Sequence, residues 1–417
     1  MIPEYSYLRV EKHQIKPSNK YYKLLDELCF KSKNLYNTGL YIERQAFLEK
    51  DPSFKDIKFI PEFTLIDYLK ESEPFKELPS TLSQQILKKV TQNFQSFFRA
   101  IKDYNKHPEK YLGKPKLPKY KDSKTARFQL ILNYNAFRFN KEYITFHKVL
   151  KGFKVKTHLN PEKHILKEAR FLPHKTHITL EIVYELKEEP LEVPTDFKYL
   201  AGIDLGIDNF STISILKPDT SPLIINGKGL KSYNKYFNKK LASLKSEAQL
   251  KNKRYTTKRI QRLIKKRNNY IDTWIHKASR LTANYLYENK VKAVIIGKNK
   301  NWKQGSKLSK KVNQTFIQIP FDSYIQRLTY KCQDLGIKVY IVEESYTSGT
   351  SYLDNELPTK DFYNKNRRIQ RGLFRTNEGK LINSDVNAAF QITKKVYKTD
   401  YKPSYKLRIN PTRINVA

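Results

Sequence analysis

The sequence predicts an α/β protein of two or three domains, and three observations carry that expectation. Short apolar, β-branched runs recur through the second half, at 200–205, 210–215, 291–297 and 337–342, with helical patterns between the later ones. In the first half, apolar residues return at steps of three and four over long stretches, the period of a helix packed on one side. The chain has 417 residues, enough for several cores, and an acidic, Pro-containing segment from Glu188 to Pro194 divides the two patterns.

In chain order, Tyr7, Leu8 and Val10 mark a short strand within 5–15, with basic residues alternating outward. Tyr22, Leu25, Leu28, Cys29, Leu35, Tyr36, Leu40 and Phe47 give a helix over 19–48, which Pro52 and Pro61 end. A helix start at Leu78-Pro79-Ser80 leads into Ile86, Leu87, Val90, Phe94, Phe97, Phe98 and Ile101. Residues 114–121 form a basic, Pro-punctuated loop, where fixed φ angles suit a row of phosphate contacts from Lys114, Lys119 and Lys121. Strands are expected at 128–132, 137–139, 143–146 and 176–186, a β-rich, barrel-like region with the helices inserted into it. After the linker, a buried strand delivers Asp204, turns at Gly206 and returns from Phe210. A basic helical stretch spans 234–287 and carries Arg254, Arg259 and Arg262, with Trp274 and Ile275 on its packed side. Pro320 opens a helix towards Gly336, a third strand ends at Glu343-Glu344, and Asp385 sits in the first turn of a late helix.

Lys and Arg number 80 against 41 acids, a formal charge of +39, with a pI near 9.8. That balance excludes an ordinary neutral enzyme and calls for a polyanionic partner, because Lys and Arg contacts to phosphate supply most of the affinity for nucleic acid. The 29 Tyr and 23 Phe, many beside Lys or Arg as at Tyr120 and Tyr236, suit stacking on unpaired bases. Two cysteines, Cys29 and Cys332, exclude a disulfide framework or a CxxC zinc site. The N-terminus lacks a signal peptide's apolar core and no run approaches membrane-spanning length, so a soluble, cytoplasmic protein is expected.

A carboxylate on the first strand of a hairpin, another at a strand end and a third opening a late helix make up what an RNase H-type nuclease needs. Such a site gathers acids from distant parts of the chain around two Mg²⁺ ions about 4 Å apart. Asn387 is expected to order the first helical turn or the Asp385 carboxylate.

At this point the chain resembles a known family. Gly202-Ile203-Asp204-Leu205-Gly206-Ile207, Tyr330-Lys331 with Gly336, Tyr346-Thr347-Ser348 and Asp385-Val386-Asn387-Ala388-Ala389 are similar to the RuvC-type motifs of TnpB, the transposon-encoded, RNA-guided DNA endonuclease related to compact type V CRISPR effectors. Leu35-Tyr36-Asn37, Leu78-Pro79-Ser80, Phe97-Phe98 and 115–121 resemble its recognition and wedge regions. The resemblance implies a wedge region over 1–18 and 110–190, a helical recognition region over 19–109, and an RNase H-like (RuvC) nuclease domain over 195–417. It also implies a guide RNA, a double-stranded DNA target and one protein per guide.

Two departures stand out. The family's second carboxylate follows the strand that corresponds to 291–296, where this chain has Gly297-Lys298-Asn299. The expected replacement is Glu344, with Glu343 as the alternative, giving Asp204, Glu344 and Asp385 as catalytic and Mg²⁺-binding residues. The family's four-cysteine zinc ribbon has no counterpart in 349–383, where Arg367 and Arg371 instead stand as nucleic-acid candidates and no zinc is expected. The function expected is RNA-guided, Mg²⁺-dependent DNA cleavage. The alternatives are a nuclease-dead, RNA-guided DNA-binding repressor and a guide-independent RuvC-type nuclease.

Overall fold

Strand β1 (Leu8–Ile15) alternates exposed and half-buried residues until Ile15 enters the core, as a strand with one wet face does. It pairs antiparallel with β7 (His177–Leu186), which pairs with β6 (His164–His174), which pairs with β2 (Leu130–Asn133). A second antiparallel sheet holds β3 (Phe137–Asn140), β4 (Tyr143–Phe146) and β5 (Lys154–Lys156). Two long helices, α1 (Tyr22–Phe47) and α4 (Ser80–Lys106), flank the shorter α2 (Glu62–Leu69) and α3 (Glu73–Lys76). Their apolar stripes, including Leu25, Leu35, Leu87 and Phe94, share one core with Phe153 and Phe171 from the β region. The computed structural model describes residues 8–49, 52, 56–187, 199–253, 255–299, 318–396 and 407–416, and the chain divides into two compact units, within 5–189 and 190–417. The expected linker at 188–194 lies outside the described residues.

β6 has no counterpart among the strands expected from sequence, and the reason is local. Glu168 and Arg170 stand on its half-exposed face, Pro173 lies near its end, and its register shifts between Leu166 and Glu168 at the exposed Lys167, so its period of two is broken as written.

The second unit is built on a mixed sheet. β8 (Leu200–Leu205), β9 (Asn209–Ile215) and β10 (Leu223–Asn226) form an antiparallel meander. β11 (Ala293–Gly297) lies parallel to β8, and β12 (Lys338–Val342) lies parallel to β11. β15 (Thr412–Ile414) adds to the far edge, giving the order β12-β11-β8-β9-β10-β15. The basic helical stretch is two helices, α5 (Lys228–Asn252) and α6 (Lys258–Glu288). Lys253 takes a left-handed conformation that ends the first, and the Thr257 hydroxyl caps the second by accepting from the Ile260 N–H at 3.3 Å. α7 (Phe321–Gln333) precedes β12, and α8 (Ser384–Thr393) follows a small hairpin of β13 (Leu373–Arg375) and β14 (Leu381–Asn383).

The two faces of this sheet carry different partners. Ala201, Ile203 and Leu205 share a core with Trp274 of α6 and Tyr324 of α7. Leu200 and Ala293 share another with Val386 and Phe390 of α8. Alternation along β8 therefore turns Asp204 to the α8 side. Among the described residues, no helix is long and apolar enough to cross a membrane.

Candidate functional site

The site begins with a close approach. A Cβ on Gly202 would lie 1.8 Å from the carbonyl oxygen of Ala389, so only glycine lets α8 come this near β8. That approach brings the first turn of α8, with Asp385, to the face that carries Asp204. Asn383 caps the helix: its Oδ1 accepts from the N–H groups of Asp385 at 3.1 Å and Val386 at 3.2 Å. The Asp385 carboxylate accepts from Nδ2 of Asn209 at 2.7 Å, and Asn209 in turn accepts from Arg413 at 2.8 Å.

Asn387 fills neither role expected of it. It is fully buried, accepts from the Tyr352 N–H at 3.0 Å and donates to the Thr350 carbonyl at 2.7 Å, tying the 349–352 segment to α8. Asn383 and Asn209 take the roles instead, because their side chains, unlike that of Asn387, reach the Asp385 amide and carboxylate.

Glu344 arrives from just past the end of β12, beyond β11. Gly297 ends β11 opposite Val342 of β12. A Cβ placed on Gly297 would stand 2.6 Å from Cδ1 of Ile392 and 3.0 Å from Oε2 of Glu344. The Glu344 carboxylate thus occupies space that a side chain at 297 would fill. Its Oε1 accepts from Nδ2 of Asn299 at 2.8 Å, while its Oε2 is buried without a partner among the described residues. Glu343 is exposed, and its charge acts on Lys395. Of the two glutamates, Glu344 is the one whose charge reaches Asp204.

The electrostatics follow from this crowding. Burial, then the Asp385 and Glu344 charges, raise the Asp204 pKa well above the usual carboxylate range, and the Arg368 guanidinium opposes them. Asp204 keeps part of its surface exposed, so the effect comes from the protein packed about its carboxylate rather than from full enclosure of the residue. Burial pushes Glu344 up to about 7. Across the strand pair from Asp204, the Thr212 hydroxyl is buried and also lacks a partner among the described residues. A buried acid raised by the charges of two others, with one glutamate oxygen orphaned, favours a hard cation, and carboxylate oxygens are the donor type that suits Mg²⁺. As placed, no three His, Cys, Asp or Glu side chains among the described residues close on a single ion position.

The cysteine-free loop sorts its arginines by contact. Arg367 turns inward, its Nη1 2.6 Å from Oε2 of Glu356, with little of its side chain exposed. Arg371 pairs with Asp208 in the β8–β9 turn. Arg368 stands at the acids, with Nη2 3.2 Å from Oγ of Ser384 and 3.9 Å from Oδ1 of Asp385. Sequence reasoning passed over Arg368, Asn209 and Asn299. The three arginines share one context in the sequence, and the asparagines find their carboxylates only through sheet register.

Elsewhere, Lys114 and Lys119 are exposed. Lys121 lies over the rings of Tyr36 and Phe128, with its backbone held on both sides by Asn37 at 2.8 and 2.9 Å. Arg259 and Arg262 are exposed on α6, Arg259 at 3.9 Å from Glu247, and Arg254 lies outside the described residues. A groove of about 800 Å³ runs between α6, α7 and the β10–β15 edge, with Lys277, Arg280 and Lys331 in its walls, and it holds none of the three acids.

Known proteins bear on these features. Residues 181–303 match the OrfB_IS605 family, described as probable transposase, and residues 321–392 match the Cas12f1-like TNB domain. No curated protein matches the chain. The structure of Cas12f1 with sgRNA and target DNA is similar over 92% of this chain and 82% of that one, with a TM-score of 0.55 at 16% identity. The mini-RNA-guided endonuclease CRISPR-Cas phi3 aligns over 96% of this chain and 93% of its own, with a TM-score of 0.49 at 10% identity. The likeness to Cas12f1 is one of fold. A transposase-family segment that leads into a Cas12f1-like segment makes the chain a TnpB-like protein.

Proposed function

We propose that this TnpB-like chain is an RNA-guided, Mg²⁺-dependent DNA endonuclease associated with a transposable element, with Asp204, Glu344 and Asp385 as its metal ligands and catalytic residues. The observation that carries the reading is that two carboxylates, one from just past the end of β12 and one from the first turn of α8, lie close enough to a third on β8 to raise the Asp204 pKa. A hairpin bearing one acid, parallel strands alternating with helices, and an acid opening the last helix together support an RNase H-like (RuvC) assignment for 195–417.

When bound, Mg²⁺ would polarise a phosphoryl oxygen and make a water acidic enough to attack it. The chain's own residues prepare that site. Asn209 holds Oδ2 of Asp385 and Asn299 holds Oε1 of Glu344, which fixes both carboxylates and leaves Oε2 of Glu344 available as a donor. The packing of α8 on Gly202 keeps Asp385 beside Asp204.

The formal charge of +39 supports guide RNA and double-stranded DNA as partners, with Lys114, Lys119, Arg259 and Arg262 as candidate phosphate contacts, and the family resemblance puts one protein on each guide. Pairing between guide and target would supply sequence specificity. In this reading 1–18 and 110–190 form the wedge, with a barrel-like sheet, and 19–109 the recognition helices.

The test is plasmid cleavage by the full chain purified with RNA from its own locus, in Mg²⁺ and in EDTA, with Asp204→Ala alongside. Guide-directed cutting that needs Mg²⁺ and disappears in Asp204→Ala is expected. A second reading, a nuclease-dead guided repressor, draws on Gly297 standing where the family resemblance expects an acid. Tight guide-dependent binding without cutting would favour it, and cutting without RNA would favour a guide-independent nuclease.

A further inference from the structure

The segment that carries Arg368 is held on both sides. Before it, the Asn364 N–H donates to the Gly349 carbonyl at 2.9 Å, and Arg367 is locked on Glu356 at 2.6 Å. After it, Arg371 pairs with Asp208 in the β8–β9 turn. Arg368 is thereby presented to the acid cluster, and its side chain remains 40% exposed. Its Nη2 donates to Oγ of Ser384 at 3.2 Å and stops 3.9 Å from Oδ1 of Asp385. A guanidinium brings a full positive charge to the site. It therefore balances part of the negative charge that Asp204, Glu344 and Asp385 concentrate, without closing a bidentate pair that would be hard to open.

We propose that Arg368 is the resident counter-charge of this cluster, and that its approach to Asp385 and the loading of a divalent cation on the same carboxylates are mutually antagonistic. The inference rests on the reading of the three acids as a metal site. A fixed positive charge beside Asp385 repels an incoming cation and competes for the same oxygen. By linkage, whatever draws the guanidinium away raises cation affinity by the same factor that cation loading weakens the Arg368 contact. A phosphodiester entering the site offers the guanidinium another anionic partner, so cation loading and substrate arrival become coupled. Arg368 acts here as a positioning residue that sets metal affinity, and the coupling keeps the acids weakly metallated until DNA is present.

The experiment titrates Mn²⁺ alone into the full-length, RNA-free chain and follows free Mn²⁺ by electron paramagnetic resonance. Arg368→Gln should bind Mn²⁺ about tenfold more tightly than wild type. Arg368→Lys should stay near wild type because it keeps the charge. Asp204→Ala should lose the site. Equal or weaker binding by Arg368→Gln, where wild type binds and Asp204→Ala does not, overturns the inference and leaves the metal site standing. Absence of an Asp204-dependent Mn²⁺ site in both wild type and Arg368→Gln overturns both. Circular dichroism on each variant checks that the fold is retained. Should Arg368→Gln misfold, Arg368→Met takes its place, with the same tightening expected and the same outcomes overturning the inference.

Discussion

Glu344 and Glu356 belong to the same unit, both place carboxylate oxygens out of water, and they end in opposite situations. Glu356 is satisfied: its Oε2 accepts from the Ser351 N–H at 2.7 Å and from Arg367 at 2.6 Å, and its Oε1 from Asn377 at 3.2 Å. Glu344 has Asn299 on one oxygen and nothing on the other among the described residues, with Asp204 and Asp385 in the same cluster. Glu356 holds the cysteine-free loop together, with a charge pair where the resemblance expects a zinc ribbon, whereas Glu344 is left with an unmet demand for positive charge. Burial alone does not mark a site; unsatisfied burial beside like charge does. Glu43, in the helical core of the other unit, is the intermediate case. It is fully buried, takes one backbone N–H from Ile60 at 3.2 Å and leaves Oε1 without a partner among the described residues. Burial raises it to about 7 with no acid among the causes, so a proton alone can settle it.

Mutation can break this contrast. Asp204→Ala should have the largest effect, lowering guide-directed cleavage by at least about a thousandfold while filter binding still detects guide-dependent DNA capture. Glu356→Ala should leave Arg367 buried and unpaired, costing about 3–5 kcal/mol in denaturant unfolding, and Arg367→Met in the same chain should recover much of that. Glu43→Gln sharpens the intermediate case. A folded pKa near 7 against about 4.5 unfolded means that its favourable contribution is complete below pH 4.5 and is lost as pH rises to 7. The Gln variant should therefore gain up to about 3 kcal/mol over wild type above pH 7 and nothing at pH 4, read from urea midpoints across pH. The smallest effect belongs to Gly297→Ala. Its methyl group displaces Glu344 or Ile392 by a fraction of an ångström, so cleavage should fall roughly 10- to 100-fold with the unfolding midpoint nearly unchanged.

Asp204 and Asp385 are legible in the sequence because each interrupts an apolar pattern where a charge needs a reason. The β8–β9 hairpin, the later parallel strands and α8 are legible by the same periodicity. Glu344 is legible only as one of a pair, since residues past the end of β12 have no assured phase, and the space over Gly297 that selects it belongs to two strands and a helix at once. β6 is hidden by its charged face and register shift. Asn209, Asn299 and Arg368 are hidden because what distinguishes them is the company they keep after folding.

The most direct test compares Glu344→Gln, Glu343→Gln and Glu356→Gln in guide-directed plasmid cleavage with Mg²⁺, each checked for folding and for DNA binding. Glu344→Gln should bind and fail to cut, Glu343→Gln should cut like wild type, and Glu356→Gln should lose stability while cutting at low temperature. Wild-type cleavage by Glu344→Gln would contradict the assignment of this carboxylate to the site.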